Sequence, residues 1–530
     1  MTMNRPETFA RIPAMSRILS ALLLCLLGFP GNPLAQSPSP RHEFRGVWIA
    51  SVDNIDWPSR KGLPVDSQKA EFTRLMDLYQ SLGMNAVVMQ IRPAADAFYP
   101  SPYEPWSEWL TGTQGKPPSP YYDPLEFMIA EAHRRGIEFH AWLNPYRAVF
   151  NTRTSSISRT HVSRLHPEWF LEYGGKRYFD PGHPEAQSFV TKVVSDIVNR
   201  YAVDAIHFDD YFYPYRISGK EFPDTSTYRR FNGGLPIDAW RRSNVDSIIL
   251  GLNRAIKAAR PDCRFGISPF GVWRNRDRDE RGSDTKAGQT NYDDLYADIL
   301  LWLKEGWIDY VAPQLYWEFG HPNAPYEVLL DWWSKNSHGK PCYIGLGYYK
   351  AGGKGIWSDR TLLPRQLSAI RSTPNIDGAI YFSGKTFLKN PLGWNDSLRN
   401  NYYRLPSLVP AAAGASPSNT PVPILTNVRV QEANRVAFTA NAPKGFDGRI
   451  RKVAVYVNEN PSAGFEGARL VAVSPYSRSV PFTIDCPDDA GSVRFHVTYV
   501  DAENREGRAD GDGAATIRFE KSAQGRWEIR

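Results

Sequence analysis

The sequence predicts a (β/α)8 barrel followed by a small all-β sandwich, on three observations. From Glu43 to about Tyr403, short apolar runs alternate with longer amphipathic stretches, and eight such runs can be counted. Past a Pro/Ala/Ser-rich break, the hydrophobic period switches to two. The length of 530 residues, 42% hydrophobic and 22% charged, suffices for one large core and a second, smaller one.

The eight strands are expected at Phe44–Ser51, Ala86–Arg92, Glu138–Tyr146, Ala205–Tyr213, Arg264–Gly271, Tyr310–Trp317, Cys342–Tyr349 and Gly378–Gly384. Helices are expected between them at Gln68–Leu82, Pro124–Arg135, Pro184–Tyr201, Trp240–Ala259, Asn291–Glu305 and Arg360–Ser372, several ending at a helix-stopping Gly or Pro. Eight βα units over roughly 360 residues match a barrel with enlarged loops. A doubly wound open sheet is the alternative, but the first βα turn lacks the Gly-rich phosphate loop such sheets often carry. Long insertions follow strand two (Pro93–Tyr122), strand three (Arg147–Tyr178), strand four (Pro214–Pro236) and strand five (Val272–Thr290). All lie after a strand's C-terminal end, where barrel enzymes assemble their sites, so a walled groove is expected there.

The barrel is bounded at 41–404, a linker at 405–423 and a sandwich of the fibronectin or immunoglobulin-like kind at 424–520. The sandwich rests on alternation in Asn427–Val430, Arg435–Phe438, Val453–Val457, Leu470–Val473 and Val493–Val500. It carries no evident chemistry. Glycan binding, docking to an envelope partner and simple spacing are equally open for it.

At the N-terminus, Arg11 and Arg17 precede an apolar run from Ile18 to Phe29, and Pro33-Leu34-Ala35 offers a cleavage point. This is the pattern of a signal peptide over 1–35, too short for a comfortable membrane span. An exported protein of the periplasm or cell envelope is expected. A lipid anchor on Cys25 is disfavoured, because Leu22-Leu23-Leu24 supplies no small residues before it. Cys263, Cys342 and Cys486 then remain, an odd and scattered set that argues against a disulfide framework or a cysteine metal site.

The formal charge of +7 is spread over many acids and bases, with no basic stripe of the kind nucleic acid binding requires. Aromatic residues make up 13%, and flat rings with polar tips suit sugar faces as well as cores. Packing alone accounts for about half of them or more.

Strand four ends in His207-Phe208-Asp209-Asp210-Tyr211. Alternation puts His207 and Asp209 on one face and Phe208 and Asp210 on the other, so Asp209 should project into the mouth, where an acid needs work or a partner. Asp210 either holds Asp209's surroundings or caps the loop. Strand six ends in Gln314-Leu315-Tyr316-Trp317-Glu318, with Gln314, Tyr316 and Glu318 on one face. Glycoside cleavage needs two carboxyls flanking one bond, one ionised and one kept protonated. Trp317 and Phe319 flank Glu318 and can raise its pKa, which makes Glu318 the general acid and Asp209 the nucleophile or base. The competing role for Glu318 is a loop carboxylate paired with Arg or Lys. Other strand ends add sugar-binding candidates: Arg45 and Trp48, Gln90 and Arg92, Asn144, Tyr146 and Arg147, His207, Tyr211 and Tyr381. Of His140, Trp142, Ser268 and Ser383, also at strand ends, the first two are equally readable as core.

No cofactor is expected. His140, His207 and the acids lack the spacing of zinc hydrolases. No Gly-x-Ser-x-Gly elbow appears, and neither strand cysteine neighbours an obvious base.

Four segments in order, Phe44-Arg45-Gly46-Val47-Trp48, Leu143-Asn144-Pro145-Tyr146-Arg147, His207 through Pro214, and Pro313-Gln314-Leu315-Tyr316-Trp317-Glu318, resemble the bacterial glycosyl-hydrolase-like family that includes the denuded-glycan hydrolases of peptidoglycan. The resemblance runs from about Arg41 to Tyr403 and leaves the sandwich outside. It implies a TIM barrel, export to the envelope, and cleavage of glycan strands stripped of stem peptides. It points to Asp209, Asp210 and the Gln-x-Tyr-Trp-Glu segment as the site, without assigning acid and base. Hydrolysis of another exopolysaccharide or plant glycan, and a catalytically silent carbohydrate-binding protein, are the other readings.

Overall fold

The computed structural model describes residues 39–412, 414–431, 434–444, 450–460, 464–487, 489–507 and 514–530. The signal-peptide expectation over 1–35, with Cys25, lies outside them.

Eight parallel strands form one sheet: β1 Phe44–Ile49, β2 Ala86–Arg92, β3 Glu138–Leu143, β4 Ala205–Phe208, β5 Arg264–Ile267, β6 Tyr310–Val311, β7 Tyr343–Leu346 and β8 Gly378–Tyr381. β8 pairs with both β1 and β7, and parallel bridges Val311 to Cys342 and Gln314 to Gly345 join β6 to β7 and close the ring. It is a TIM-type barrel, as the periodicity predicts.

Inward positions alternate with outward ones. Phe44, Trp48, Val88, Trp142, Ala205, Tyr310, Ala312 and Ile380 fill the interior, while Val47, Met89, Phe139, Ile206, Phe265 and Ile344 face the surrounding helices. Gly266 sits on the inner face of β5 because Tyr310 occupies the space of its side chain: an added Cβ would lie 1.9 Å from the phenol Cζ.

The helices follow local signals. α1 (Val65–Ser81) buries Phe72, Leu75, Met76 and Tyr79, one face at 3.6-residue spacing. α2 (Pro124–His133) starts on Asp123, whose carboxylate accepts from the amides of Leu125 and Glu126, with Pro124 at the first position. α3 spans Pro184–Arg200 and α4 Ile237–Ala259. The helix expected over Asn291–Glu305 is two: Asn291–Asp294, then α5 Ile299–Lys304 capped by Asp298, with Tyr296 between them at φ 55°. α6 (Tyr326–Asn336), between β6 and β7, is an addition to the expected set, and α7 is Leu362–Ser372.

The insertions brace one another around the C-terminal mouth. The Gln114 side chain accepts from the Ser158 amide, joining the insertions after β2 and β3. The second of these carries a three-stranded sheet, Arg147–Val149, Lys176–Phe179 and Phe170–Tyr173. The Tyr173 hydroxyl donates to the carbonyl of Lys220 after β4, and Arg216 there pairs with Asp294 after β5. The expected wall is continuous across these four insertions.

Past the barrel, Ile424–Gln431, Arg435–Asn441 and Ser479–Asp485 form one antiparallel sheet; Arg469–Pro475, Ile450–Asn458, Ser492–Asp501, Ala515–Lys521 and Trp527–Ile529 form another. This all-β part meets the barrel at its N-terminal floor. Lys452 reaches Glu138 at 3.6 Å, and Arg41 bonds the carbonyls of Phe465, Glu466 and Ala468. The Pro/Ala/Ser stretch is not free chain at its start: Leu408 pairs with Arg41 and Glu43 through the backbone, and Val409 is buried in the barrel floor. Among the described residues no helix is long and apolar enough to cross a membrane, and the three cysteines are buried and unpaired.

Candidate active site

The hydrogen-bonded part of β4 ends at Phe208, and from there the chain turns. His207 keeps its inward place. Its Nε2 accepts from the Trp48 indole at 3.2 Å and Nδ1 meets the Tyr310 hydroxyl at 2.9 Å. Burial, aided by the nearby His140 ring, holds His207 well below the usual imidazole range, so it is a neutral support beneath Trp48.

Asp209 projects into the mouth and is 3% exposed. Its Oδ2 accepts from Trp142 Nε1 at 3.0 Å and Asn144 Nδ2 at 3.1 Å, and its Oδ1 from the Tyr211 amide at 3.3 Å. Burial raises its pKa, against the Arg147 guanidinium and these donors. Asp210, expected on the opposite face, joins the same mouth, because strand alternation no longer governs a residue beyond the last ladder bond. It is 2% exposed, accepts from the Tyr215 hydroxyl and lies beside the Gln314 amide. Burial, and then the charge of Asp209, push its carboxyl up to about 7 despite both bonds. With Trp142, Asn144, the Tyr211 amide and the Arg147 cation on Asp209, and no cation acting on Asp210, the pair's charge sits on Asp209 and its proton on Asp210.

Glu318 stands half-buried at the rim, near Lys350. Its aromatic neighbours turn away: Trp317 packs on Phe270 with centroids 5.4 Å apart, and Phe319 on Tyr326 at 4.9 Å. The burial expected around Glu318 falls on Asp210 instead.

Of the proposed sugar contacts, Trp48, Arg147, Tyr211, Gln314 and Tyr316 converge on the acids. Arg147 lies over the Tyr211 ring at 5.5 Å. Tyr316 stacks on Phe382 and meets the edge of Trp48. Asn144 acts through Asp209, and its Oδ1 also accepts from the Arg147 amide at 2.8 Å. Gln90 faces inward beside Trp142 in the strand register; its Oε1 accepts from the Ser51 and Val52 amides, while its buried Nε2 has no partner among the described residues.

Four expected contacts are not at the mouth. Arg45 is 0% exposed on the outer face of β1, bound to Glu43 and the Leu405 carbonyl. Tyr381 also points outward, its hydroxyl 3.0 Å from that of Tyr403. Arg92 is spent on Glu104 and the Asn144 and Pro145 carbonyls, and Tyr146 is packed into the core beside Asp180. Arg45 and Tyr381 fail as contacts because strands of a barrel clad in helices bury both faces, and alternation does not say which face is the interior; Tyr146 lies beyond the end of β3, and Arg92 is consumed by its ion pair. Conversely, sequence alone gave no signal for Tyr215 or Phe382, which lie in loops beyond the strands. Trp142, equally readable as core, makes the shortest hydrogen bond to Asp209, 3.0 Å.

The family described as Glycosyl hydrolase-like 10 matches residues 43–357. Glycosyl hydrolase YngK of Bacillus subtilis is 44% identical over 483 residues, covering 90% of this chain and 94% of that one. Glycosyl hydrolase DigH of Escherichia coli K12 is 38% identical over 388 residues, covering 68% and 87%. Among solved structures, the glycoside hydrolase domain of PgaB (BpsB) from Bordetella bronchiseptica is 16% identical, with a TM-score of 0.44, over 68% of this chain and 98% of that one.

Proposed function

The chain belongs to the Glycosyl hydrolase-like 10 family and is a glycoside hydrolase, and from that premise we propose that it cleaves an amino-sugar polymer, the glycan strands of peptidoglycan lacking stem peptides. The observation that carries the chemistry is the buried Asp209–Asp210 pair. One carboxyl is held charged by Trp142, Asn144 and Arg147; the other is raised to about 7, so about half of it carries a proton at neutral pH and more below. Asp210 gives that proton to the leaving oxygen, and Asp209 steadies the positive charge that develops on the sugar. Glu318 takes no proton-donating role in this reading and stays at the rim near Lys350.

The glycan assignment rests on the resemblance of the four motifs and on the aromatic character of the mouth, which Trp48, Tyr211 and Tyr316 line. Export to the envelope, inferred from Arg11 to Ala35, would bring the enzyme to that substrate.

The test is incubation of the purified protein with sacculi before and after amidase treatment. Soluble peptide-free saccharides should appear from the treated material. Asp209→Asn and Asp210→Asn should each lower release by about a hundred-fold or more while the melting temperature holds. Release from another polysaccharide and none from treated sacculi would replace the peptidoglycan reading.

A further inference from the structure

The two buried carboxyls of the mouth come from consecutive residues, whose Cα atoms are about 3.8 Å apart. They splay along the rim, Asp209 towards β3 and Asp210 towards the end of β6. Both therefore meet a bound sugar from one strand end. An enzymic nucleophile, or a base activating water, must instead stand across the anomeric carbon from the leaving group.

Asp209 is also poorly disposed to attack. Both its oxygens already accept hydrogen bonds, from Trp142 and Asn144 on one side and Tyr211 on the other. The Asn144 Nδ2 is shared between the two oxygens, at 3.1 and 3.3 Å, so three donors occupy a carboxylate with about four acceptor sites, and one more N–H can be received. Beside the pair, Trp48, Tyr316 and Phe382 form an aromatic corner; the Trp48 indole N–H is taken by His207, and the Tyr316 hydroxyl is the corner's other polar tip.

We propose that the substrate supplies the nucleophile: the carbonyl oxygen of a 2-acetamido group attacks C1, Asp209 accepts the hydrogen bond of its N–H, and Asp210 protonates the departing oxygen. This rests on the amino-sugar reading above and narrows it to β-linked, N-acetylated sugars at the cleaved position. The glycosidic C1–O bond breaks with its electron pair leaving on oxygen, which takes the Asp210 proton. The new C1–O bond closes a five-membered oxazolinium ring whose N–H⁺ is held by Asp209. The acetyl methyl lies in the corner of Trp48 and Phe382, and Tyr316 donates to the carbonyl oxygen. Water then gives a proton to the Asp210 carboxylate as its oxygen attacks C1; the ring opens, the acetamide is restored and the anomeric configuration is retained. Asp209 and Asp210 are catalytic residues on this account, whereas Trp142 and Asn144 are positioning residues.

The experiment compares denuded glycan strands with the same strands chemically de-N-acetylated, and follows the first-formed anomer by NMR. Turnover should fall about a hundred-fold or more on loss of the acetyl groups, and the β anomer should appear first. A 1,2-fused thiazoline of N-acetylglucosamine, which resembles the closed ring, should bind about a hundred-fold or more tighter than N-acetylglucosamine, and Asp209→Asn should remove that advantage. Equal turnover of both polymers, or an α product, overturns the inference and leaves the peptidoglycan reading standing. Cleavage of neither polymer, alongside cleavage of a polysaccharide without amino sugars, overturns both. Rescue of Asp209→Ala by azide to give an α-glycosyl azide would show Asp209 to be the nucleophile and likewise end the proposal.

Discussion

Tyr215→Phe isolates the proton held by Asp210. The Tyr215 hydroxyl donates to Asp210 Oδ2, while its ring stacks on Tyr211 at 5.3 Å and meets the edge of Phe270 at 6.3 Å. Phenylalanine keeps the ring contacts and removes only the donor. A hydrogen bond to a charged group is worth about 1.5–3 kcal/mol. Tyr215 is 37% exposed, so water recovers part of it, and about 1.4 kcal/mol is a fair residue, one pKa unit. The bond favours the carboxylate, so its loss raises the Asp210 pKa from about 7. The general acid must be protonated, and the alkaline limb of kcat/KM should therefore move up by about one pH unit. The other groups facing Asp210 are Asp209, Tyr211, Gln314 and Tyr316, with Arg147 acting on Asp209. Asp209→Asn removes the neighbouring charge and should move the limb down. A kcat/KM profile for Tyr215→Phe that stays put or shifts to lower pH would refute the assignment of Asp210 as the acid.

Two further outcomes follow from the same structure. Trp142→Phe keeps an aromatic ring in the barrel interior but removes the 3.0 Å donor to Asp209; kcat/KM should fall about 10- to 100-fold with little change in thermal unfolding, and an unchanged rate would show that this bond does not act in catalysis. At the opposite end, burial pushes the Glu138 carboxyl up, but Arg264, Lys452 and His140 together hold it well below its ordinary value of 4.5. The depressed carboxyl stabilises the fold above that value, and the contribution is lost as pH falls through the folded pKa. Glu138→Gln should therefore cost about 3–5 kcal/mol at pH 7 and flatten the acid dependence of unfolding, with specific activity of the folded protein intact. Identical acid-unfolding curves for the two proteins would contradict the node.

What the sequence determines by itself is local. The spacing of apolar residues specifies eight strands and most of the helices, since period and capping act within a few residues, and Asp123 before Pro124 marks the start of α2 without any tertiary partner. The run from His207 to Asp210 marks the acids for the same reason: acids at a strand end need work or partners wherever the strand lies. Which partners they find is not local. Trp48 and Arg45 stand three residues apart on one strand, so only one can face the interior, and only closure of the ring chooses Trp48 and sends Arg45 to Glu43. Asp210 enters the mouth because β4 ends at Phe208; burial and the charge of Asp209 hold its proton there, against donors that come from elsewhere in the chain, Tyr215 in a loop and Gln314 beyond β6. Lys452 meets Glu138 across 314 positions of chain at 3.6 Å, beneath the barrel floor. Such juxtapositions depend on how whole layers pack, and hydrophobic period carries no information about that: it says that a face is buried, and the tertiary structure decides against what.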